Sequence, residues 1–349
     1  MSFSSFPGSE AFRRSDAFGE YGQGPLSVTT KLRLLLGVVF LLPIKALGAL
    51  GCLLSYWAFC RLSWLIPAER RGRALAAVGR VHCRACLFCI GFLRVRWVRL
   101  PAGATAKDAE SGRLSAASAA AAAAEAPVPP GCGGVVASHA SWADILLHMS
   151  RSFPAFVARD STADLPLVGI ISQCMRCVFV DRNRKDRTTG GVSEAVRQRM
   201  RLTAEGLEHT ARPLLLFPEG TTTNGKCLLN FKTGAFLAGV PVRPVFFRYT
   251  TPPGGVQPTW DMIPAPKHIF YMLAMPYHLV TCYELPVYVP SEDEKNDPHL
   301  YANNVRDEML KASGFFPSDA TFDQKMRLKA AMIAKHFPDQ GKKKNKKKD

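Results

Sequence analysis

Acidic residues are scarce in this 349-residue chain: 28 aspartates and glutamates stand against 45 lysines and arginines, a formal net charge of +17. Such an excess implies attraction to a polyanion, whether nucleic acid, an anionic membrane surface or a phosphorylated substrate. No RNP, zinc-finger or helix-turn-helix pattern accompanies it, so nucleic acid as a partner would rest on charge alone and is set aside. Paired metal-binding cysteines are also missing. Cys174 and Cys177 form a C-x-x-C, but Cys83, Cys86 and Cys89 lie far away in an apolar run, where free thiols behave as small hydrophobes. No metal is therefore expected, and the scattered thiols suit a reducing compartment. The first apolar run opens only at Leu34, too deep for a secretory signal. There is no G-x-S-x-G, hence no nucleophile elbow.

What is present is a globular composition, 47% hydrophobic and 21% charged, with a long greasy segment added. Residues 1–30, rich in Ser, Gly and Phe, read as a tail. A membrane-embedded helical region is expected over 31–95. Its run from Leu34 to Ile66 would exceed the roughly 30 Å hydrocarbon core as one helix, and would bury Lys45. A bend at Pro43 removes both difficulties, giving a re-entrant hairpin with Lys31, Arg33, Arg70, Arg71 and Arg73 on one cytosolic side. A single tilted span from about Ala46 and a buried core helix are the alternatives. The shorter run Cys83–Leu93 would lie on the membrane or cover a catalytic domain.

Residues 96–132 read as a linker carrying a low-complexity alanine-serine insertion. From 133 to 290 short β-rich runs (133–137, 155–158, 177–180, 214–217, 242–247) alternate with helical patterns (142–149, 165–174, 193–208, 231–238). The alternation predicts an α/β domain with a mostly parallel central sheet flanked by helices and its chemistry at strand ends. A helical region over 291–336 and a polybasic tail, 337–349, complete the chain. The last eight residues hold six lysines and one aspartate. The ending Lys346-Lys347-Lys348-Asp349 resembles a dilysine retrieval signal, which suggests the endoplasmic reticulum; a generic membrane-adhesive tail has the same composition.

Four constellations carry chemistry. Ser138-His139-Ala140-Ser141-Trp142-Ala143-Asp144 is an H-x-x-x-x-D after a predicted strand: with a helix starting near Ser141, Asp144 can fold back onto the imidazole, fixing its tautomer and raising its basicity. The spacing alone is cheap, since about 0.4 such matches are expected by accident. A capped turn, or a metal site of His139, Asp144 and His148, would use the same residues. Phe217-Pro218-Glu219-Gly220-Thr221-Thr222-Thr223-Asn224-Gly225 follows another strand and is far more specific, a carboxylate and hydroxyls around a glycine turn where a phosphate or hydroxyl can be approached closely. Phe179-Val180-Asp181-Arg182 brings a cation suited to bidentate phosphate contacts. Val240-Pro241-Val242-Arg243-Pro244-Val245 is a strand with proline at its start.

In this order the four resemble the motifs of the glycerolipid acyltransferase (PlsC-like) superfamily, over roughly Val135 to Val289. FPEGTTTNG followed by Phe231-Lys232-Thr233-Gly234-Ala235-Phe236 looks like the lysophosphatidylcholine and lysophosphatidylethanolamine members. The resemblance implies an acyl-CoA-dependent O-acyltransferase acting on a lysophospholipid at the endoplasmic reticulum membrane, with a cytosolic catalytic domain, acyl-CoA as co-substrate and no cofactor. His139 would be the base and Asp144 its orienting partner. Arg182, Glu219, Gly220, Thr221 and Thr222 would bind the acceptor, and Val240, Pro241 and Pro244 would form the acyl-donor surface. Direct transfer follows from the missing serine elbow. Two departures stand out: Ser138 where many relatives have Asn, and Thr222 where lysophosphatidate enzymes typically have Arg. The second suits a zwitterionic headgroup. The EF-hand extension of some relatives is absent, so calcium control is not expected. Lysophosphatidate or glycerol 3-phosphate as acceptor, thioester hydrolysis, and a silent membrane adaptor are the alternatives.

Overall fold

The computed structural model describes residues 14–19, 24–180, 191–207, 212–260 and 262–336. A short helix α1 (Ser15–Phe18) precedes α2 (Val28–Phe40), whose start is capped by the Ser27 side chain accepting the Thr30 N–H at 3.1 Å. Helix α3 (Leu42–Leu62) follows immediately, with Pro43 in its first turn. A proline there costs α3 nothing but removes the N–H that would carry α2 onward, so the apolar run is interrupted at Leu41 as the bend required.

Residues Leu42–Leu65 form a helix long and apolar enough to cross a membrane, with mean hydropathy 1.4 and only 6% of the window buried. Phe40, Ile44, Leu47, Trp64 and Leu65 are all exposed, a surface that water does not favour and lipid does. Lys45 is not left in that surface. Its ammonium donates to the carbonyls of Ile90 (3.3 Å), Met275 and Pro276 (3.1 Å). Gly91, at φ +113°, makes the approach possible: a Cβ there would stand 2.5 Å from Lys45 Nζ.

Helix α4 (Ala68–Ile90) packs between α3 and the catalytic domain, so the Cys83–Ile90 part of the second apolar run covers the domain. The chain continues through β1 (Phe92–Arg99), α5 (Ala106–Glu110), α6 (Ala116–Ala124), β2 (Gly134–Ala137), α7 (Ala143–Arg151), β3 (Ala155–Arg159), α8 (Val168–Cys174), β4 (Val178–Val180), α9 (Gly191–Ala204) and β5 (Leu214–Leu216). It ends with β6 (Cys227–Leu228), β7 (Val242–Thr250), α10 (Ala265–Ala274), β8 (His278–Glu284), α11 (Glu292–Asn296), α12 (Pro298–Ser313), β9 (Phe316–Pro317) and α13 (Phe322–His336).

Seven strands form one sheet in the order β1-β8-β7-β2-β5-β3-β4, parallel except where β7 meets β8. All five expected strands are present, each within a few residues. Three features differ. β1 crosses the expected boundary between the membrane region and the linker, because its alternation FLRVRWVR is studded with arginines that read as a flank. β8 was not anticipated. The helix expected over 231–238 is only a 3₁₀ turn, Thr233–Ala235, stopped by Gly234 and Gly239.

Strand alternation divides the core. Val136, Val242 and Phe246 face Tyr301, Val305 and Met309 of α12, while Val135, Ala137, Val245 and Phe247 face α4 and α7. At the sheet's far side Glu284 is buried between Arg99 (2.6 Å) and Arg151 (2.9 Å), so the carboxylate entering the core is fully paired.

Candidate active site

The central strands β2 and β5 run parallel and side by side, so the residues that leave their carboxyl ends emerge together. His139 comes from β2 and Glu219 from β5. The two distant motifs are joined directly: the His139 N–H donates to Glu219 Oε1 at 2.9 Å, and the His139 carbonyl accepts the Thr223 N–H at 2.8 Å. The His139 ring lies on the Phe217 ring, centroids 4.0 Å apart and 18° from parallel.

Asp144, on the first turn of α7, is fully buried. Its Oδ2 accepts His139 Nδ1–H at 2.9 Å and the N–H groups of Ala140 and Ser141, both at 2.8 Å. Helix α7 begins at Ala143, two residues later than the start near Ser141 suggested by the sequence, and the Ser141 hydroxyl accepts the Ala143 N–H at 3.2 Å. The other carboxylate oxygen accepts the Tyr249 hydroxyl. Burial, and then the Asp144 charge, push the Tyr249 phenol well above its ordinary range, so it remains a donor. Nothing in the motifs pointed to Tyr249. It sits near the end of β7, the neighbour of β2, and only strand register brings it there.

With Nδ1 committed, Nε2 is the ring nitrogen left for chemistry. His139 borders a cavity of about 390 Å³ lined also by the polar Ser193 and Lys232, by Gly220, and by the apolar Phe156, Val157, Leu216 and Phe217. Ser138, in place of the asparagine of many relatives, is buried with its Oγ accepting the Phe247 N–H at 3.3 Å, which ties β2 to β7 beneath the histidine.

Several expected positions fall elsewhere. Glu219 does not face the cavity: it is 3% exposed, and Oε2 accepts the Leu229 N–H at 3.0 Å. Burial pushes its carboxyl up to about 8, against the pull of the two main-chain donors. Gly220, at φ +71°, lines the cavity while turning the glutamate inward. Thr222 is also buried and its Oγ1 is held by Lys325 of α13 at 2.7 Å, and Thr221 is half-buried outside the cavity lining. The threonine run is therefore packed against α13 rather than arranged as an open cradle.

Val240, Pro241 and Pro244 do not line the cavity beside His139. The parallel register pairs Val242 with Gly134, so Val240 lies two residues before that level and His139 five residues after it. At about 3.3 Å per residue the two are on the order of 20 Å apart along the strand. Pro244 is buried, its carbonyl accepting the Leu285 N–H at 3.0 Å. Arg182 lies outside the described residues. His148, invoked by the metal alternative, packs against Trp97 and Phe247, and burial lowers its pKa to about 3. Among the described residues no three His, Cys, Asp or Glu side chains are grouped to share a metal.

An imidazole oriented by a buried carboxylate beside a partly apolar cavity is suited to acyl transfer, and the acyltransferase family model matches residues 127–248. The lysophospholipid acyltransferase LPEAT1 of Arabidopsis thaliana is 37% identical over 341 residues, covering 90% of this chain and 84% of that protein, so the chain belongs to the lysophospholipid acyltransferase family. Lysophosphatidylcholine acyltransferase 1 of Mus musculus is 32% identical, with 85% of this chain and 52% of that one covered. For lysophosphatidylcholine acyltransferase 2 of Homo sapiens the identity is 31%, over 83% and 49%. The chain thus spans about half the length of these mammalian relatives. The crystal structure of the 1-acyl-sn-glycerophosphate acyltransferase PlsC from Thermotoga maritima aligns with TM-score 0.49 and 18% identity, covering 81% of this chain and 96% of that one.

Proposed function

We propose that this enzyme moves the acyl group of an acyl-CoA directly onto the free hydroxyl of a lysophospholipid, with His139 as general base and no cofactor. The observation that carries the reading is the His139–Asp144 pair at 2.9 Å beside the cavity, with Asp144 filled by two main-chain donors and Tyr249. Nε2 takes the acceptor's proton as its oxygen attacks the thioester carbonyl carbon. The tetrahedral adduct then collapses, the carbon–sulfur bond breaks, and the imidazolium returns the proton to the leaving CoA thiolate. Asp144 holds the tautomer that makes Nε2 the acceptor and offsets the charge that forms on the ring.

The acceptor is a zwitterionic lysophospholipid, lysophosphatidylcholine or lysophosphatidylethanolamine. Thr222 supplies no cation where lysophosphatidate enzymes typically have one, and the mouse and human relatives named above are lysophosphatidylcholine acyltransferases. The apolar helix and the free thiols suit the endoplasmic reticulum membrane with the catalytic domain in the reducing cytosol.

An acceptor panel assayed with one labelled acyl-CoA tests this. Acylated lysophosphatidylcholine or lysophosphatidylethanolamine is expected, and Asp144→Asn should lower kcat by roughly 10³ to 10⁴-fold through loss of the productive tautomer. Preference for lysophosphatidate, release of free fatty acid without acceptor product, or full activity in His139→Ala would each overturn it.

A further inference from the structure

The cavity beside His139 contains, among the described residues, one lysine or arginine in its lining, Lys232, and no carboxylate. The main chain of the lysine is held in place, and its side chain is free to turn. Its own N–H donates to the Pro218 carbonyl at 2.9 Å, fixing its main chain to the FPEG turn. Its side chain lies across Gly220, where a Cβ would stand 2.6 Å from Nζ and 2.9 Å from Cε. Gly220 joins the same turn as Phe217, on which the catalytic ring is stacked. The ammonium thus lies over the Gly220 turn and borders the same cavity as the base. Thr222 brings no charge to this place, being turned away to Lys325.

Resting on the acceptor reading above, we infer that Lys232 binds the phosphodiester of the lysophospholipid and so positions its hydroxyl at His139 Nε2. A lysophospholipid carries its phosphate one or two carbons from the reacting hydroxyl, so a phosphate-binding cation must share the cavity of the base, as Lys232 does. The phosphates of acyl-CoA are the other source of the same chemistry. They are separated from the thioester by the length of the pantetheine arm, which puts them away from the base when the thioester is at it. A single mobile ammonium also fits a phosphodiester shared by choline and ethanolamine headgroups, since it binds as a point charge without the planar fork of arginine.

The test compares Lys232→Met, which keeps the stem and loses the charge, with Lys232→Arg, in steady-state kinetics of full-length enzyme in lysophosphatidylcholine micelles. Lys232→Met is expected to raise KM for the acceptor about tenfold with little change in KM for acyl-CoA, and Lys232→Arg to recover most of the loss. A rise confined to acyl-CoA would assign the lysine to CoA phosphates and overturn the inference, as would equal rises for both substrates or none for either. The side chain is exposed, so both variants should fold; wild-type enzyme with no acceptor-dependent transfer would instead sink the proposed function itself.

Discussion

Glu219 illustrates how a motif residue can serve the site without entering it. Both carboxylate oxygens accept main-chain N–H groups, one from His139 and one from Leu229, and they hold the two loops at a fixed separation. An amide cannot do this. In Glu219→Gln the NH₂ group must face one of the two N–H donors, leaving a buried donor unpaired at a cost of about 1–3 kcal/mol. The variant should unfold at lower urea and lose kcat as His139 shifts. Wild-type stability together with a raised acceptor KM would show instead that the carboxylate faces the substrate. Lys232 presents the opposite case, an exposed residue beyond the FPEG motif that the glycine turn brings to the cavity.

Among the elements, α3 is the one whose attachment is least expected. Its exposed face is apolar, yet it is fastened to the catalytic domain by a half-buried cation, Lys45, whose ammonium donates to carbonyls at the ends of α4 and α10. Carbonyls at helix ends lack internal partners and are the natural acceptors for a lysine there. Lys45→Met keeps the hydrophobic stem and strips those bonds, each charged hydrogen bond contributing about 1.5–3 kcal/mol. Purified in detergent, the variant should melt earlier and be cut more readily by protease between α3 and α4. Unchanged melting and cleavage would mean that apolar packing alone fastens the helix.

For the whole molecule, acid is the predicted weakness. Burial lowers His148 from 6.5 to about 3, and His268 and His278 to about 4, so all three are neutral in the fold and protonate when it opens. Their stabilisation is complete above pH 6.5 and is lost as pH falls below it. Glu219 has the opposite sign: raised from 4.5 to about 8, it retains a proton that the unfolded chain releases, so its contribution is full below pH 4.5 and declines as pH rises from there to about 8. Between 4.5 and 6.5 unfolding takes up three imidazole protons and releases one carboxyl proton, a net uptake of about two, or roughly 2–3 kcal/mol per pH unit. Urea midpoints measured at pH 7, 6 and 5 should fall accordingly. His148→Leu should flatten the trend by about one proton, and it also removes a buried Nε2 that has no hydrogen-bond partner among the described residues. A midpoint independent of pH over this range would contradict the burial of these histidines.

The sequence by itself determined the α/β class, five of the seven strands, the break ahead of Pro43 and the partnership of His139 with Asp144. All of these are local: hydrophobic period, a missing N–H, and two residues five apart at a strand-to-helix junction set them within short windows. Only the tertiary structure decided what faces what. It turned Glu219 and Thr222 inward, placed Val240 and Pro241 at the opposite edge from the base, enlisted Tyr249 and Lys325, and recruited β1 from the supposed membrane flank. Each of these depends on the register of strands far apart in sequence, and a motif records which residues are present but not the direction in which the sheet makes them point.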